Sequence, residues 1–349
     1  MHDGRVPRPD PDGYEKGRVE GRLKDDSGAV LVTGGAGFIG SHVTDALLSR
    51  GEDVVCLDNF DDFYDPAIKR RNLEGALRSK RFTLIEGDIR DPAALRQVFK
   101  SRRIIKVFHA AARAGVRPSL QAPLLYEEIN VRGTLQLLEA CKDRDIRNFV
   151  FASSSSVYGT CERIPFRETE SSLQPISPYA ATKIAGEYLC RTYASLYGFP
   201  LTCARFFTVY GPRQRPEMAI HRFVRLIEQG APVPVFGDGT IRRDFTYIED
   251  VVAGVLSILD RPHNYEIINL GDSRVVELLE VIRLIESALG KPARIEWRPA
   301  QPGDVPVTFA DIGKAVSLLG YTPRTAVKDG IAAFVRWYRA DAVSRGGAS

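Results

Sequence analysis

The chain has 349 residues, long for one compact core and comfortable for two coupled lobes. Hydrophobic residues make up 44% and charged residues 26%, ordinary globular usage that excludes a disordered or fibrous protein. The net charge of +4 comes from 48 basic and 44 acidic residues spread along the chain with no dense basic block, so a nucleic-acid partner is not indicated.

Residues 1–28 are polar and charged, with Pro7, Pro9 and Pro11 among acids and bases, and predict a disordered extension without the apolar run of a signal peptide. No later stretch is long and apolar enough to span a bilayer, so no membrane association is expected. Cys56, Cys141, Cys161, Cys190 and Cys203 are scattered, without a C-x-x-C pair. Such usage predicts reduced thiols in a cytoplasmic protein rather than disulfides or zinc.

Beyond the extension, short apolar runs at 29–33, 53–57, 82–86, 106–109, 148–153 and 201–206 read as strands bounded by Gly, Asp or Ser. Helical patterns at 37–50, 91–100, 124–143 and 179–197 lie between them. This alternation predicts an α/β fold with a Rossmann-type doubly wound parallel sheet. From about Gly211 the rhythm changes, and loops at 211–216, 230–239 and 298–306 punctuate shorter elements. The expected organisation is a sheet domain over 29–205, with 206–349 mainly a smaller substrate-binding lobe, interleaved with the first and completing a cleft.

The segment from Leu31 to Gly40, L-V-T-G-G-A-G-F-I-G, puts a glycine-rich turn directly after a strand and at the opening of a helix. Gly34, Gly37 and Gly40 let the backbone turn tightly and approach a pyrophosphate, and the helix start (Phe38, Ile39) offers free N–H groups and a partial positive charge. The second strand ends at Asp58, about 20 residues on, where a carboxylate can bind an adenosine ribose diol. An acid there repels a 2′-phosphate, so NAD is favoured over NADP. Asp88, in Gly87-Asp88-Ile89, is placed either to hold an adenine amino group or simply to make a turn.

Tyr179 and Lys183 stand four apart at the start of a predicted helix, which puts the ammonium on the same face as the phenol. A phenol ionising near pH ~10 is a poor base at neutral pH. A cation alongside, with the positive nicotinamide of bound NAD, favours phenolate and makes Tyr179 usable as a general base. The run Ser153 to Ser156 ends the preceding strand and delivers hydroxyls to the carboxyl edge of the sheet. His109 ends a buried strand and reads as a core histidine.

With these residues in place, the sequence resembles the extended short-chain dehydrogenase/reductase family of nucleotide-sugar epimerases, dehydratases and decarboxylases. The motifs T-G-G-A-G-F-I-G-S-H, S-S-S-V-Y-G, Y-A-A-T-K, R-R-D-F-T-Y and P-G-D-V carry the resemblance from Ala29 to about Tyr338. It implies that Ser154 relays the proton, Tyr179 is the general base, and Lys183 is its electrostatic partner and a ligand of the nicotinamide ribose. It also implies that Asn59, Ile89, Asn130, Phe206 and the Ala110-Ala111-Ala112 turn flank the NAD.

Dehydratases of this family typically present Asp-Glu before the Val-Tyr-Gly triplet, and decarboxylases Ser-Glu. This chain has Ser155-Ser156 before Val157, so no carboxylate serves elimination there and simple 4-epimerisation is the implied reaction. The stretch from Arg205 to Pro216 resembles the glucuronate 4-epimerases of the family. Glucose 4-epimerases usually carry Asn where Thr208 stands and Arg where Gln301 stands. A uronate needs its C6 carboxylate bound by hydroxyls and a cation, and Ser155, Ser156, Thr208 and Arg215 are suitable in type. Arg243 resembles the family's diphosphate arginine and Asp304 its uridine-ribose acid. The segment around Arg113 is typical of the uronate group but assigns that arginine no role. The implied partners are a UDP-sugar and a second copy of the chain, in a homodimer through the helices predicted at 124–143 and 179–197.

Overall fold

The computed structural model describes residues 27–300 and 305–346. Residues 1–26 of the expected extension, together with Gln301 and Asp304, lie outside the described residues. The first half runs β1 (Ala29–Thr33), α1 (Phe38–Ser49), β2 (Val54–Asp58), α2 (Pro66–Asn72), β3 (Phe82–Glu86), α3 (Pro92–Ser101) and β4 (Ile104–His109). Then come α4 (Val116–Gln121), α5 (Pro123–Glu127), α6 (Gly133–Cys141), β5 (Asn148–Ser154), α7 (Pro178–Tyr197) and β6 (Leu201–Phe206). Smaller pieces follow: β7 (Thr208–Tyr210), α8 (Ala219–Glu228), β8 (Pro232–Phe236), β9 (Arg242–Tyr247) and α9 (Ile248–Asp260). The chain closes with β10 (Glu266–Leu270), β11 (Val275–Glu277), α10 (Leu278–Leu289), β12 (Arg294–Arg298), α11 (Gly313–Leu319) and α12 (Val327–Gly346).

Seven strands make one sheet in the order β10-β6-β5-β4-β1-β2-β3, and every pairing is parallel. Both faces are covered, and the strand side chains alternate between them. Val30, Val32, Val54, Phe108 and Val150 enter one core with Val43 and Leu47 of α1 and Val251 and Val255 of α9. Leu31, Val55, Val107, Phe149 and Phe151 enter the other with Val98, Leu137, Leu138 and Cys190. That double burial is why these strands read as continuous apolar runs. The order reverses between β1 and β4, so their carboxyl ends open a crevice, the place where such sheets take ligands.

The seventh strand, β10, comes from far down the chain and pairs with β6 outside the strand–helix rhythm of the first half. Its outer edge is covered in part by Glu168, whose Oε1 accepts from the Asn269 N–H at 2.8 Å. The later strands form a three-stranded sheet β11-β9-β7 and a two-stranded sheet β12-β8, and β7 brings Thr208 and Val209 to the crevice. The predicted 124–143 helix is drawn differently: α5 and α6 are joined by a π-helical turn, Glu128–Arg132. That wider turn buries Asn130, whose side-chain bonds, described below, offset its poorer geometry. α7 has both ends fixed locally: the Ser177 side chain accepts from the Ala180 N–H, Pro178 opens the helix, and Gly198 ends it at φ 69°.

All five cysteines are free, and four are buried. Among the described residues no helix is long and apolar enough to cross a membrane, and no group of three or more His, Cys, Asp or Glu could hold a metal ion.

Candidate active site

The β1–α1 turn shows why glycine stands where it does. Gly34 has φ +68°, and a Cβ there would lie 2.7 Å from the Ala111 nitrogen. A Cβ on Gly40 would lie 2.2 Å from the Gly34 oxygen. The turn is thereby pressed against the segment after β4, and α1 begins at the cleft with Gly37 as a cap that offers no side-chain hydrogen bond. Its first-turn N–H groups are left for an anion, with the positive end of the helix dipole behind them.

Two acids stand at the ends of β2 and β3. Asp58 accepts from Phe60 N at 2.8 Å and Ala36 N at 3.0 Å, which ties β2 to the glycine turn. Burial pushes its carboxyl above the ordinary value, against those bonds and the Lys69 ammonium. Asp88 accepts from Arg90 through both the guanidinium and the backbone, and from Asn59 Nδ2 at 2.9 Å. Burial works against its charge, but these donors win and hold its carboxyl below the usual range. Asp88 therefore keeps its charge on this wall, while Asp58 offers a buried carboxyl whose charge its two backbone N–H donors and Lys69 favour against burial.

The segment after β4 is clamped from behind. Asn130 accepts from Arg113 N at 2.8 Å and donates to Arg113 O and to Thr182 Oγ1, both at 3.0 Å, so it links this loop to α7. Asn130 is buried and lies behind the cleft wall rather than in it. His109 is buried between Thr33 Oγ1 at 2.7 Å and Thr134 Oγ1 at 2.9 Å. Thr134 spends its own proton on the Asn130 carbonyl, so it accepts from His109 Nε2. Burial lowers the imidazole pKa to about 3, with the Lys183 charge adding to the effect. It is a neutral core histidine.

Tyr179, one residue into α7, lies by Ser154 at the end of β5, whose hydroxyl favours the phenolate. The Ser154 Oγ also lies 3.1 Å from the Ser156 Oγ, placing a row of hydroxyls beside the phenol. Lys183, one turn on, is buried, and its Nζ donates to the Ala152 carbonyl at 2.8 Å. Burial pulls the Lys183 pKa down to about 8. Burial raises the Tyr179 pKa, and the charge that opposes it is Arg215 rather than Lys183. The Lys183 ammonium lies 6.0 Å from the Tyr179 ring centre because the Ala152 carbonyl holds it at the sheet edge.

These groups line one cleft of about 380 Å³. It brings together Gly34, Gly37, Phe38, Ile39, Gly40, Asp58, Asn59, Asp88, Ile89, Ala110, Ala111, Ala112 and Phe206. With them stand Ser154, Ser155, Ser156, Tyr179, Lys183, Thr208 and Arg215. Arg243 does not line it. That residue lies on β9 beside Asp244, a buried acid that accepts from Asp272 N, Ser273 N and Ala310 N and so stitches β9 to two neighbouring segments. Among the lining residues that the sequence does not single out as site residues are Asp61, Phe63, Tyr64, Lys69 and Arg113. The run Asp61-Asp62-Phe63-Tyr64 was visible, but it sits in a loop where no periodicity marks a side chain as facing inward.

Residues 30–271 match the NAD dependent epimerase/dehydratase family. The chain belongs to that family. Among its relatives is a UDP-glucuronate 4-epimerase of Thermodesulfobacterium geofontis, 43% identical over 311 residues, covering 89% of this chain and 96% of the other. The crystal structure of a UDP-glucuronic acid 4-epimerase from Bacillus cereus with UDP-glucuronic acid and NAD superposes with a TM-score of 0.84. It is 38% identical, covering 89% of this chain and 99% of that one. A UDP-glucose 4-epimerase from Thermotoga maritima with UDP-glucose gives a TM-score of 0.83 at 32% identity, covering 90% and 99%.

As a member of the NAD dependent epimerase/dehydratase family, the chain presents residues that fit the cofactor. The uncapped start of α1 suits a pyrophosphate, Asp58 a ribose diol, and the turn from Ala110 to Ala112 gives an apolar wall between them and Tyr179.

Proposed function

We propose that the protein is a UDP-glucuronate 4-epimerase, interconverting UDP-glucuronate and UDP-galacturonate with NAD held in the cleft. The observation that carries the uronate reading is the placement of Arg215. It lines the cleft and its charge acts on the Tyr179 phenol, so a cation stands at the reacting end. Ser155, Ser156 and Thr208 line the same cleft and supply hydroxyls. The two positions between Ser154 and Val157 are serines, so no acid there serves an elimination. The relatives and structural neighbours named above support the same activity.

In this reading Tyr179 Oη takes the proton of the C4 hydroxyl, with Ser154 Oγ as the relay, and returns it when the sugar is restored. Bound NAD supplies a hydride acceptor and donor for C4 and a positive charge beside the phenol. Lys183 holds a second cation at the end of β5. Arg215 and the hydroxyls grip the C6 carboxylate. Their grip has a second purpose, because a 4-keto uronate is a β-keto acid and loses carbon dioxide when its carboxylate stands perpendicular to the carbonyl plane. Fixing the carboxylate away from that geometry protects the product.

We assign 29–205 to cofactor binding and 206–349 mainly to the sugar nucleotide, with Arg243 and Asp304 on its diphosphate and uridine ribose. A homodimer through α5, α6 and α7 is supported by Leu124, Tyr188 and Leu196, which are 79%, 62% and 69% exposed. A cytoplasmic location is supported by the five free thiols. Incubating the purified protein with UDP-glucuronate and separating the products tests the function. UDP-galacturonate is expected, whereas a UDP-pentose or conversion of UDP-glucose alone would overturn it.

A further inference from the structure

The loop between β2 and α2 is strapped across the cleft by contacts that the reaction does not use. Asp61 Oδ1 accepts from Arg113 Nη1 at 2.6 Å and from Phe63 N at 2.9 Å. The Asp61 carbonyl accepts from Lys69 Nζ at 2.6 Å. Arg113 is in turn fixed through its backbone by Asn130, which is bonded to Thr182 of α7. At the end of this chain of contacts sits the Phe63 ring, with the Arg113 guanidinium carbon 4.7 Å from its centre and that of Arg215 at 5.6 Å. Beside it the Tyr64 hydroxyl is buried, has no hydrogen-bond partner among the described residues, and feels the charge of Arg215.

Among the described residues the one ion pair of Arg215 is with Glu217, at 3.2 Å from Nη1. A lone arginine held by a half-exposed glutamate has several rotamers and can turn its fork toward that acid. A guanidinium held over an aromatic ring, as that of Arg215 is over Phe63, has fewer rotamers open to it and keeps N–H groups to offer a carboxylate.

We propose that Phe63 is a specificity-determining positioning residue: strapped by Asp61 and Arg113, its ring sets the Arg215 guanidinium for the C6 carboxylate of a hexuronate. The inference rests on the uronate reading above. A neutral hexose offers Arg215 only an uncharged C6 hydroxyl, so the ring matters mainly for the acidic sugar.

The test is calorimetric titration of the NAD-loaded protein with UDP-glucuronate and with UDP-glucose, using wild type, Phe63→Leu and Phe63→Tyr. Leucine keeps the apolar bulk and loses the π face, whereas tyrosine keeps both. Phe63→Leu is expected to weaken UDP-glucuronate about tenfold, the loss of one partly buried cation–π contact, while UDP-glucose affinity holds. Phe63→Tyr is expected to restore UDP-glucuronate binding. Equal losses for both sugars would mean a merely structural role and would overturn the proposal, as would a Phe63→Leu protein that keeps the wild-type preference. A wild type that binds the two sugars equally would overturn the uronate reading and the inference with it.

Discussion

Lys183 and Tyr179 share a helix face, yet the ammonium rests on the Ala152 carbonyl, 6.0 Å from the centre of the tyrosine ring. Helical spacing put the two groups side by side, and burial then acted on each alone. It raised the phenol and pulled the lysine down to about 8. Burial therefore favours the neutral phenol of Tyr179, and the Ser154 hydroxyl and the Arg215 charge oppose it.

Tyr179→Phe removes the hydroxyl and keeps the ring, which still packs edge-on to Tyr126 at 6.3 Å. NAD content after purification should match wild type, while kcat falls by at least about 10²-fold, the ordinary cost of losing a general base. Turnover near the wild-type rate would remove Tyr179 from the mechanism.

Arg215→Ala deletes the cation at the sugar end. For UDP-glucuronate, kcat/KM should fall about 10- to 100-fold, the range for a charge-assisted hydrogen bond. Binding of UDP-glucose should change little. Some turnover should also leak to a decarboxylated UDP-pentose product, visible by mass spectrometry. Equal losses for both sugars would reject the carboxylate role.

His109 supplies a pH prediction. Its folded pKa, about 3, lies below the ordinary 6.5, so between those values the unfolded chain binds more protons than the folded one. Its contribution is fully present above pH 6.5 and is lost as pH falls toward 3. Its ring proton resonances should not titrate between pH ~5 and ~8. The stability of wild type, measured against His109→Gln by urea unfolding, should rise with pH from about 4 to about 6.5. A ring titrating near 6.5 would show that the imidazole is not enclosed by the two threonines.

The exposed apolar residues of α5 and α7 predict assembly. Replacing Leu124 and Leu196 by Glu puts charges on both helices of the expected contact. Sedimentation should show a dimer for wild type and a monomer for the double variant. A wild-type monomer would leave those side chains without an assembly role.

Much of this was legible before the structure, for physical reasons that differ by element. β1, β2 and β6 are buried along their whole length, so their apolar runs could hardly be anything else. Gly34 and Asp58 announced themselves by spacing, because the turn and the strand that follow one another in sequence also touch in space. Tyr179 stood out by its spacing to Lys183, whereas Ser154 and Arg215 were named through a resemblance, since nothing local says that three distant segments meet. β10 was missed because its partner β6 lies about 60 residues away, and no helix repeat connects them. Phe63 and Arg113 were passed over as site residues for a similar reason. They meet through a cation–π contact between loops, and loops carry no periodic signal.

The central claim is that C4 of a uronate loses its hydrogen and regains it on the opposite face without exchange with water. UDP-glucuronate deuterated at C4 tests it in one incubation, read by mass spectrometry and proton NMR of the separated sugar nucleotides. UDP-galacturonate that keeps the deuterium at C4 is the expected result. Label washed into solvent, or a product that has lost carbon dioxide, would contradict it.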